Sequence, residues 1–245
     1  TTAEYFKAKA TLTFSSDDPP GAVKAMLLAV AEALPARMAG VPASVIASGA
    51  GSYQVSVPVS SPAEAGGTTA ALLHRAWYAA QRAGLHLDGA KSRHKDKLAY
   101  IAEQVQVTGA AMGLGDEAIA TMLGGARLLP FAEGETIQAP SSIPDSVGFI
   151  TAGTVGMVVH TEDGRQLALG ELTVGDFIGG TSLTRQRMIT GMVALTDTTI
   201  VAVSREAMNA VAQQNHRVAR QIGDTIEMRR RAAREALAEA AQGVR

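Results

Sequence analysis

The sequence predicts an α+β protein in two parts, a two-layer α/β sandwich followed by a small antiparallel β-barrel with flanking helices. Three observations predict it. Over the first ninety residues the segments succeed one another as strand–helix–strand–strand–helix–strand, an order that lays helices on one sheet. From Gly134 to Val203, short apolar stretches alternate with Gly- and Asp-bearing turns, as in a small all-β body. Between the two, Asp88–Asp96 (DGAKSRHKD) is polar, basic and glycine-bearing, which reads as a boundary. The parts are accordingly residues 1–92 and 93–245.

Each element has its own signal. Tyr5–Phe14 (YFKAKATLTF) alternates in part and reads as a strand. Asp17-Asp18-Pro19-Pro20 marks a helix start, because carboxylates suit the positive end and proline is tolerated in the first turn. Val23, Met26, Leu27, Val30 and Leu34 recur at helical spacing, and Pro35 with Gly40-Val41-Pro42 ends that helix. Ser44–Ala47 and Tyr53–Val59 read as strands joined through Gly49-Ala50-Gly51. Thr68–Ala83 is a second helix with Leu72, Leu73, Ala76, Trp77 and Ala80 on one face and Gly84 as its stop. Leu85-His86-Leu87 reads as a short closing strand. Lys97–Ala111 and Asp116–Leu123 are helices leading into the barrel, and Asp163-Gly164 reads as a type I′ hairpin turn. Ser204 caps a single final helix running to about Ala240, with Ala207, Val211, Val218, Ile222, Ile226 and Met228 on its apolar side. Arg229-Arg230-Arg231 and Arg234 form a basic run on it. The plain reading is a solvated face with pairs such as Arg231–Glu235; the sharper one is contact with lipid headgroups or a neighbouring subunit.

Composition narrows the function. The 245 residues are 47% hydrophobic and 18% charged, enough to bury real cores. A net charge of −1 supplies no global pull toward nucleic acid or membrane, and no nucleic-acid partner is expected. With no cysteine there are no disulfides or thiolate metal sites, which fits a reducing compartment. His74, His86, His94, His160 and His216 are scattered without metal-ligand spacing, so no metal is expected. Ser182, Thr184 and Thr190 lack a nucleophile signature, Asp17 and Asp18 are more simply helix-start residues than a carboxylate pair, and the chain does not read as an enzyme. No apolar run is long enough to span a bilayer. The chain starts at Thr1 without an initiator Met and reads as a piece of a longer protein.

One connection in the barrel differs from the rest. Gly179-Gly180-Thr181-Ser182-Leu183 opens a polar segment that holds Arg185 and Arg187 between two strands. Backbone N–H groups at a glycine-led turn, with an arginine nearby, can hold a phosphate. The candidate ligand-binding residues are Gly179, Gly180, Thr181, Ser182, Leu183, Arg185, Arg187 and Thr190.

The barrel resembles the cyclic nucleotide-binding domain family from about Leu98 to Arg229. Arg127–Ile137 (RLLPFAEGETI) is similar to the family's first strand and G-E-x-I turn. Phe149–Val155 (FITAGTV) is similar to its Y-I-x-x-G-x-V strand, and Gly175–Gly179 (GDFIG) to the entry of its phosphate-binding cassette. The resemblance implies a jelly-roll barrel and a cyclic nucleotide ligand, cAMP or cGMP, with no other cofactor. Two positions depart from it. Gly180 stands where the family's Glu holds the ribose hydroxyl, and Met188 stands where its arginine pairs with the cyclic phosphate, with Arg187 one residue and Arg185 three residues earlier. A different small anion, or no ligand, therefore stays open.

The first part resembles the carboxy-terminal cytoplasmic domain of small-conductance mechanosensitive (MscS-like) channels, a ferredoxin-like sandwich. The carrying residues are the strand ending at Phe14, the Asp18-Pro19 helix start, the paired strands after Pro42 and the Ala-rich helix ending Ala83-Gly84-Leu85-His86-Leu87. Together the two resemblances imply the cytoplasmic region of a channel in the bacterial inner membrane, carrying a sensor that modulates gating. They imply a ring-shaped homo-oligomer, heptamers being that family's habit. The other readings are a ligand-free structural or oligomerisation module, and the regulatory part of a soluble cyclic-nucleotide-responsive protein.

Overall fold

The computed structural model describes residues 5–49, 51–88, 94–161 and 163–242. Ala50 in the first expected turn and residues 89–93 of the expected boundary lie outside them. The chain divides into two compact units, Thr1–Arg93 and His94–Arg245.

In the first unit, β1 (Phe6–Thr13), β2 (Ser44–Gly49) and β3 (Ser52–Val59) form an antiparallel sheet in the order β1-β3-β2. Helices α1 (Pro20–Glu32) and α2 (Pro62–Ala83) pack on it and on each other. The β1 alternation works as strand period dictates: Ala8, Ala10 and Leu12 are buried, and Lys7, Lys9 and Thr11 are exposed. Leu27, Leu72, Val55, Val57 and Val59 are fully buried between the layers.

Three expectations are corrected here. Helix α2 begins at Pro62, six residues before Thr68. A capping box explains this: the Glu64 carboxylate accepts the N–H groups of Ser60 (3.0 Å) and Ser61 (3.2 Å), with Pro62 at the first position. The box outweighs Gly66 and Gly67, which cost about 1 kcal/mol each in a helix interior. The Asp18 carboxylate does not cap α1; it turns to His86, accepting that residue's backbone N–H at 2.7 Å. The closing strand shrinks to one antiparallel bridge, Phe14 with Leu87, because Leu85 N–H still returns to Ala80 O at the end of α2.

The second unit comprises α3 (His94–Ala111), α4 (Asp116–Gly124), β4 (Ala126–Phe131), β5 (Thr136–Gln138), β6 (Ser146–Ala152), β7 (Val155–His160), β8 (Gln166–Leu172), β9 (Phe177–Ile178), β10 (Gly191–Ala194), β11 (Thr198–Ser204), α5 (Arg205–Gln214) and α6 (His216–Gln242). The expected closed barrel is instead a jelly-roll-like sandwich of two four-stranded sheets, β5-β10-β7-β8 and β4-β11-β6-β9. Its edge strands β5 and β9 are three and two residues long, too short to continue one sheet into the other.

The sheet β4-β11-β6-β9 buries both faces. Val147, Phe149, Val201 and Val203 point to the helices, where Met122, Met208, Val211 and Ile222 meet them. Their strand neighbours Ile150 and Ile200 point to the other sheet, against Val155 and Met192, with Ile178 of β9 beside them. Gly148 faces this inner core, where a Cβ would come within 2.7 Å of Ile200 Cγ2.

Two turns also differ from expectation. At Asp163-Gly164 only Gly164 takes positive φ, and its N–H returns to Thr161 O at 3.0 Å, so the turn is not type I′. The single final helix is two. Ser204 Oγ accepts from Ala207 N at 3.3 Å and caps α5, but Asn215 is extended (φ −131, ψ 91), and its Oδ1 accepts from Val218 N to start α6 afresh.

Candidate anion-binding cassette

The cassette is the connection from β9 to β10. Gly179 turns the chain with φ +70, a left-handed conformation that favours glycine. Space also demands glycine there: a Cβ would lie 2.5 Å from Ser146 O and 2.7 Å from Gln138 Nε2. A single 3-10 turn, Gly180–Ser182, follows, closed by Ser182 N–H to Gly179 O at 2.9 Å. The return path is pinned by two backbone bonds, Ser141 N–H to Met188 O (2.8 Å) and Met188 N–H to Ser142 O (2.9 Å).

Helix α6 lies on the cassette. A Cβ on Gly180 would meet Ile222 Cγ2 at 3.2 Å and Ile226 Cγ1 at 3.3 Å, so Gly180 is what allows α6 so close. Arg229 then donates from Nη1 to Phe177 O at 2.7 Å, with its guanidinium 5.3 Å from the Phe177 ring centroid. Arg230 binds Gln186 Oε1 through Nη2 and Glu227 through Nη1, the latter at 3.2 Å. The expected solvated basic run is corrected to this extent: Arg229 and Arg230 face the cassette, and among the described residues the ion pair in this run is Arg230–Glu227 rather than Arg231–Glu235.

Between helix and cassette remains a hollow of about 40 Å³. Of the residues expected at the site, Gly179, Gly180, Thr181, Arg187 and Thr190 line it. Ser182 is fully buried beside it, Leu183 packs toward the helical core, and Arg185 is exposed with φ +52. Arg187 is exposed as well, its Nη1 donating to Ser141 O at 2.8 Å. Met188, at the family's arginine position, is buried in the inter-sheet core. The wall is completed from α6 by Ile226, Arg229 and Arg230.

Three polar atoms in this region are buried without a hydrogen-bond partner: Thr181 Oγ1, Ser182 Oγ and Arg229 Nε. Burial holds the Arg229 guanidinium below its ordinary pKa, and the Asp176 charge opposes that shift. Among the described residues no carboxylate forms an ion pair with Arg229. The Asp176 carboxylate is occupied by its own turn, accepting Thr173 N–H at 2.8 Å. The sequence reading missed Arg229 because a basic run on an amphipathic helix looks like any solvated face. The available signal was Gly180, where loss of a side chain leaves room for something else to approach.

The arrangement is a small hollow with a mainly apolar open surface, flanked by Arg187, Arg229 and Arg230 and roofed by one helix.

Comparison with known proteins adds a domain match. The sequence profile of the cyclic nucleotide-binding domain matches residues 128–215. Among solved structures, the chain is similar to the Thermus thermophilus catabolite activator protein, at 22% identity over 53% of this chain and 61% of that one (TM-score 0.44). It is similar to the sensor domain of the transcriptional regulator DNR from Pseudomonas aeruginosa, at 13% identity over 54% and 89% (TM-score 0.46). It is also similar to a cyclic nucleotide-binding-like protein from Brucella abortus, at 19% identity over 45% and 98% (TM-score 0.40). The chain thus spans about three-fifths of the length of the activator. No curated protein sequence matches it. Residues 128–215 are a cyclic nucleotide-binding domain, set in a jelly-roll-like sandwich with flanking helices.

Proposed function

We propose that this domain is a regulatory sensor for a small anionic ligand, and that the chain is the cytoplasmic region of an MscS-like membrane channel whose gating it modulates. The observation that carries the sensing half is the contact of α6 with the cassette through Gly180 and Arg229. A ligand in the hollow meets both, so it acts on the position of α6. The proposed ligand contacts are Gly179, Gly180, Thr181, Ser182, Arg187 and Thr190, with Arg185 and Leu183 shaping the loop.

The channel half is supported by the sequence resemblance of Tyr5–Asp88 and by the three-stranded sheet with two packed helices, which suits a ferredoxin-like sandwich. The division into a channel domain and a sensor domain, the ring homo-oligomer and the inner-membrane location belong to the same proposal. Ligand shifts gating only by its difference in affinity between closed and open states. A tenfold ratio is about 1.4 kcal/mol per site. Identical sites in a ring add, so a modest preference becomes a clear switch.

The test is calorimetric titration of the chain with cAMP and cGMP, with Arg187→Ala as the variant, followed by patch recording of the full-length parent in membranes. Binding that Arg187→Ala abolishes, together with ligand-dependent channel opening, is the expected result. A full-length parent that stays in the aqueous fraction overturns the channel half. One observation favours a second reading: the hollow of about 40 Å³ is far below the ~300 Å³ floor of ordinary small-molecule pockets. In that reading the domain is a ligand-free rigid module, and silence with both nucleotides supports it.

A further inference from the structure

We propose that helix α2 carries a self-association surface, on which two copies of this chain meet antiparallel about a two-fold axis at Ala70. The inference goes beyond the proposed function. The contacts that close a ring are heterologous, whereas this one is isologous and joins chains two by two.

Exposure comes first. Leu72, Ala76, Ala79 and Ala80 of α2 are buried in the core of the first unit. Leu73 and Trp77, which the sequence places on the same face, point away from that core and are 44% and 48% exposed. Trp77 stands edge-on to Tyr78, with ring centroids 4.9 Å apart. Ala63, Gly66, Gly67, Ala70 and His74 are exposed as well, and at helical spacing they share one stripe with Leu73 and Trp77. From Ala63 to Trp77 the stripe is about 20 Å long at 1.5 Å per residue.

The glycines come second. Gly66 and Gly67 weaken a helix interior, and nothing in this unit asks for them. Neither takes a positive φ, and a Cβ on either would meet no atom within 4 Å. Side chains missing from an exposed helix let another backbone come close.

Register comes third, and it selects a second copy as the occupant. In an antiparallel pair centred on Ala70, positions equally far from the centre lie at the same height. Leu73 then comes beside Gly67 of the other copy, His74 beside Gly66 and Trp77 beside Ala63. Each larger side chain meets a small residue, as ridges meet grooves. A parallel pair would instead set Trp77 against Trp77 and leave the glycines facing a gap. The stripe holds no Asp, Glu, Lys or Arg, and neighbouring Glu64 is engaged with the N–H groups of Ser60 and Ser61. Two copies therefore meet without like-charge repulsion, and a strongly charged partner finds no counter-charge there.

The experiment is sedimentation equilibrium of the full chain from about 1 to about 200 μM, the range suited to a small interface. Emission of Trp77, the single tryptophan, is a second readout. The variants are Gly67→Leu, Trp77→Ala and, as a control, Ile46→Thr on β2, which is exposed outside the stripe. Wild type should pair reversibly, with Trp77 emission moving to shorter wavelength as it does. Gly67→Leu should weaken pairing at least about tenfold, because the new side chain fills the space that Leu73 of the other copy needs. It should also raise the melting temperature, because leucine suits a helix better than glycine. Weaker pairing in a more stable chain is a combination that general damage does not produce. Trp77→Ala should weaken pairing at least about tenfold, as loss of a central aromatic anchor does, and Ile46→Thr should pair like wild type. A wild-type chain that stays monomeric throughout overturns the inference and leaves the stripe to a different protein. Pairing in Gly67→Leu equal to wild type overturns it too, as does a ring whose mass and Trp77 emission do not change in Gly67→Leu. Silence toward cAMP and cGMP removes the sensor reading alone and leaves this one standing.

Discussion

In residues 5–88 the Asp18 carboxylate, 6% exposed, accepts the His86 backbone N–H and lies 2.8 Å from His86 Nδ1. Thr68 Oγ1 donates to Glu64 O at 2.7 Å, and Arg75 donates to Ala33 O at the end of α1. In residues 94–242 the buried atoms Gln138 Oε1, Thr181 Oγ1, Ser182 Oγ, Arg205 Nε and Arg229 Nε have no partner, and among the described residues these unpartnered atoms all fall in this unit. Each such group costs about 1–3 kcal/mol. Three of the five sit in the cassette or on the helix above it. Among the described residues, the first unit pairs its buried polar groups internally, and the second leaves several unpaired where α6 closes on the cassette.

The strongest way to break this comparison is Gly153→Val. Gly153 has φ +84 and stands against the backbone of Asp197 and Thr198, with a Cβ only 2.8 Å from Thr198 Cα. The substitution should cost ~3 kcal/mol or more. Hydrogen exchange should show the second unit losing protection while the first keeps it. Loss in both units together would mean that they do not behave as separate bodies.

Asp18→Ala is next, at about 1–3 kcal/mol in the first unit by urea unfolding. Burial opposes ionisation of Asp18, but the His86 ring, its backbone N–H and its charge together hold the carboxyl below its ordinary pKa. The folded value is depressed, so this stability is present above the unfolded value near ~3.9. It is lost as pH falls through the folded one. Wild type should weaken on acidification below about pH 4, and Asp18→Asn should remove that component of the slope.

Gly180→Glu restores the side chain that the family carries and should crowd Ile222 and Ile226 at a cost of about 1 kcal/mol. Trypsin cleavage at the arginines of α6 should accelerate. Unchanged cleavage would show that α6 does not depend on the close approach at Gly180.

The smallest effect sharpens the comparison most. Thr181→Val deletes an unpartnered hydroxyl and should leave ligand-free stability within ~0.5 kcal/mol, or raise it. Thr68→Val deletes a bonded one and should cost about 1 kcal/mol. Equal costs would erase the distinction between the units.

Much of the fold is legible in the sequence because it rests on period and punctuation. The alternation of β1, the helical spacing of Val23, Leu27 and Val30, and the glycine turns of the sandwich all act locally. Whatever depends on distant partners is not legible. Asp18 looks like a helix-start residue until His86, 68 positions away, is seen beside it. Sheet closure depends on the length of edge strands, which apolar pattern does not set. The break at Asn215 was readable as a second cap, yet the apolar side chains run through it without a change of period. In the cassette, the loop residues could be named from the glycines and arginines, but the roof could not. Arg229 reaches Phe177 across 52 positions, a contact no local motif announces.

Asn215 has a mechanical consequence. Because α6 carries its own cap there, the two helices meet at a one-residue break, while Val218 in the first turn of α6 still packs in the core that holds Met208 and Val211 of α5. The 27 residues of α6 make a lever about 40 Å long at 1.5 Å per residue. A rotation of about 20° at Asn215 would swing the far end by roughly 14 Å on that length, and it would first have to unseat Val218, Ile222 and Ala233, which are buried along the helix.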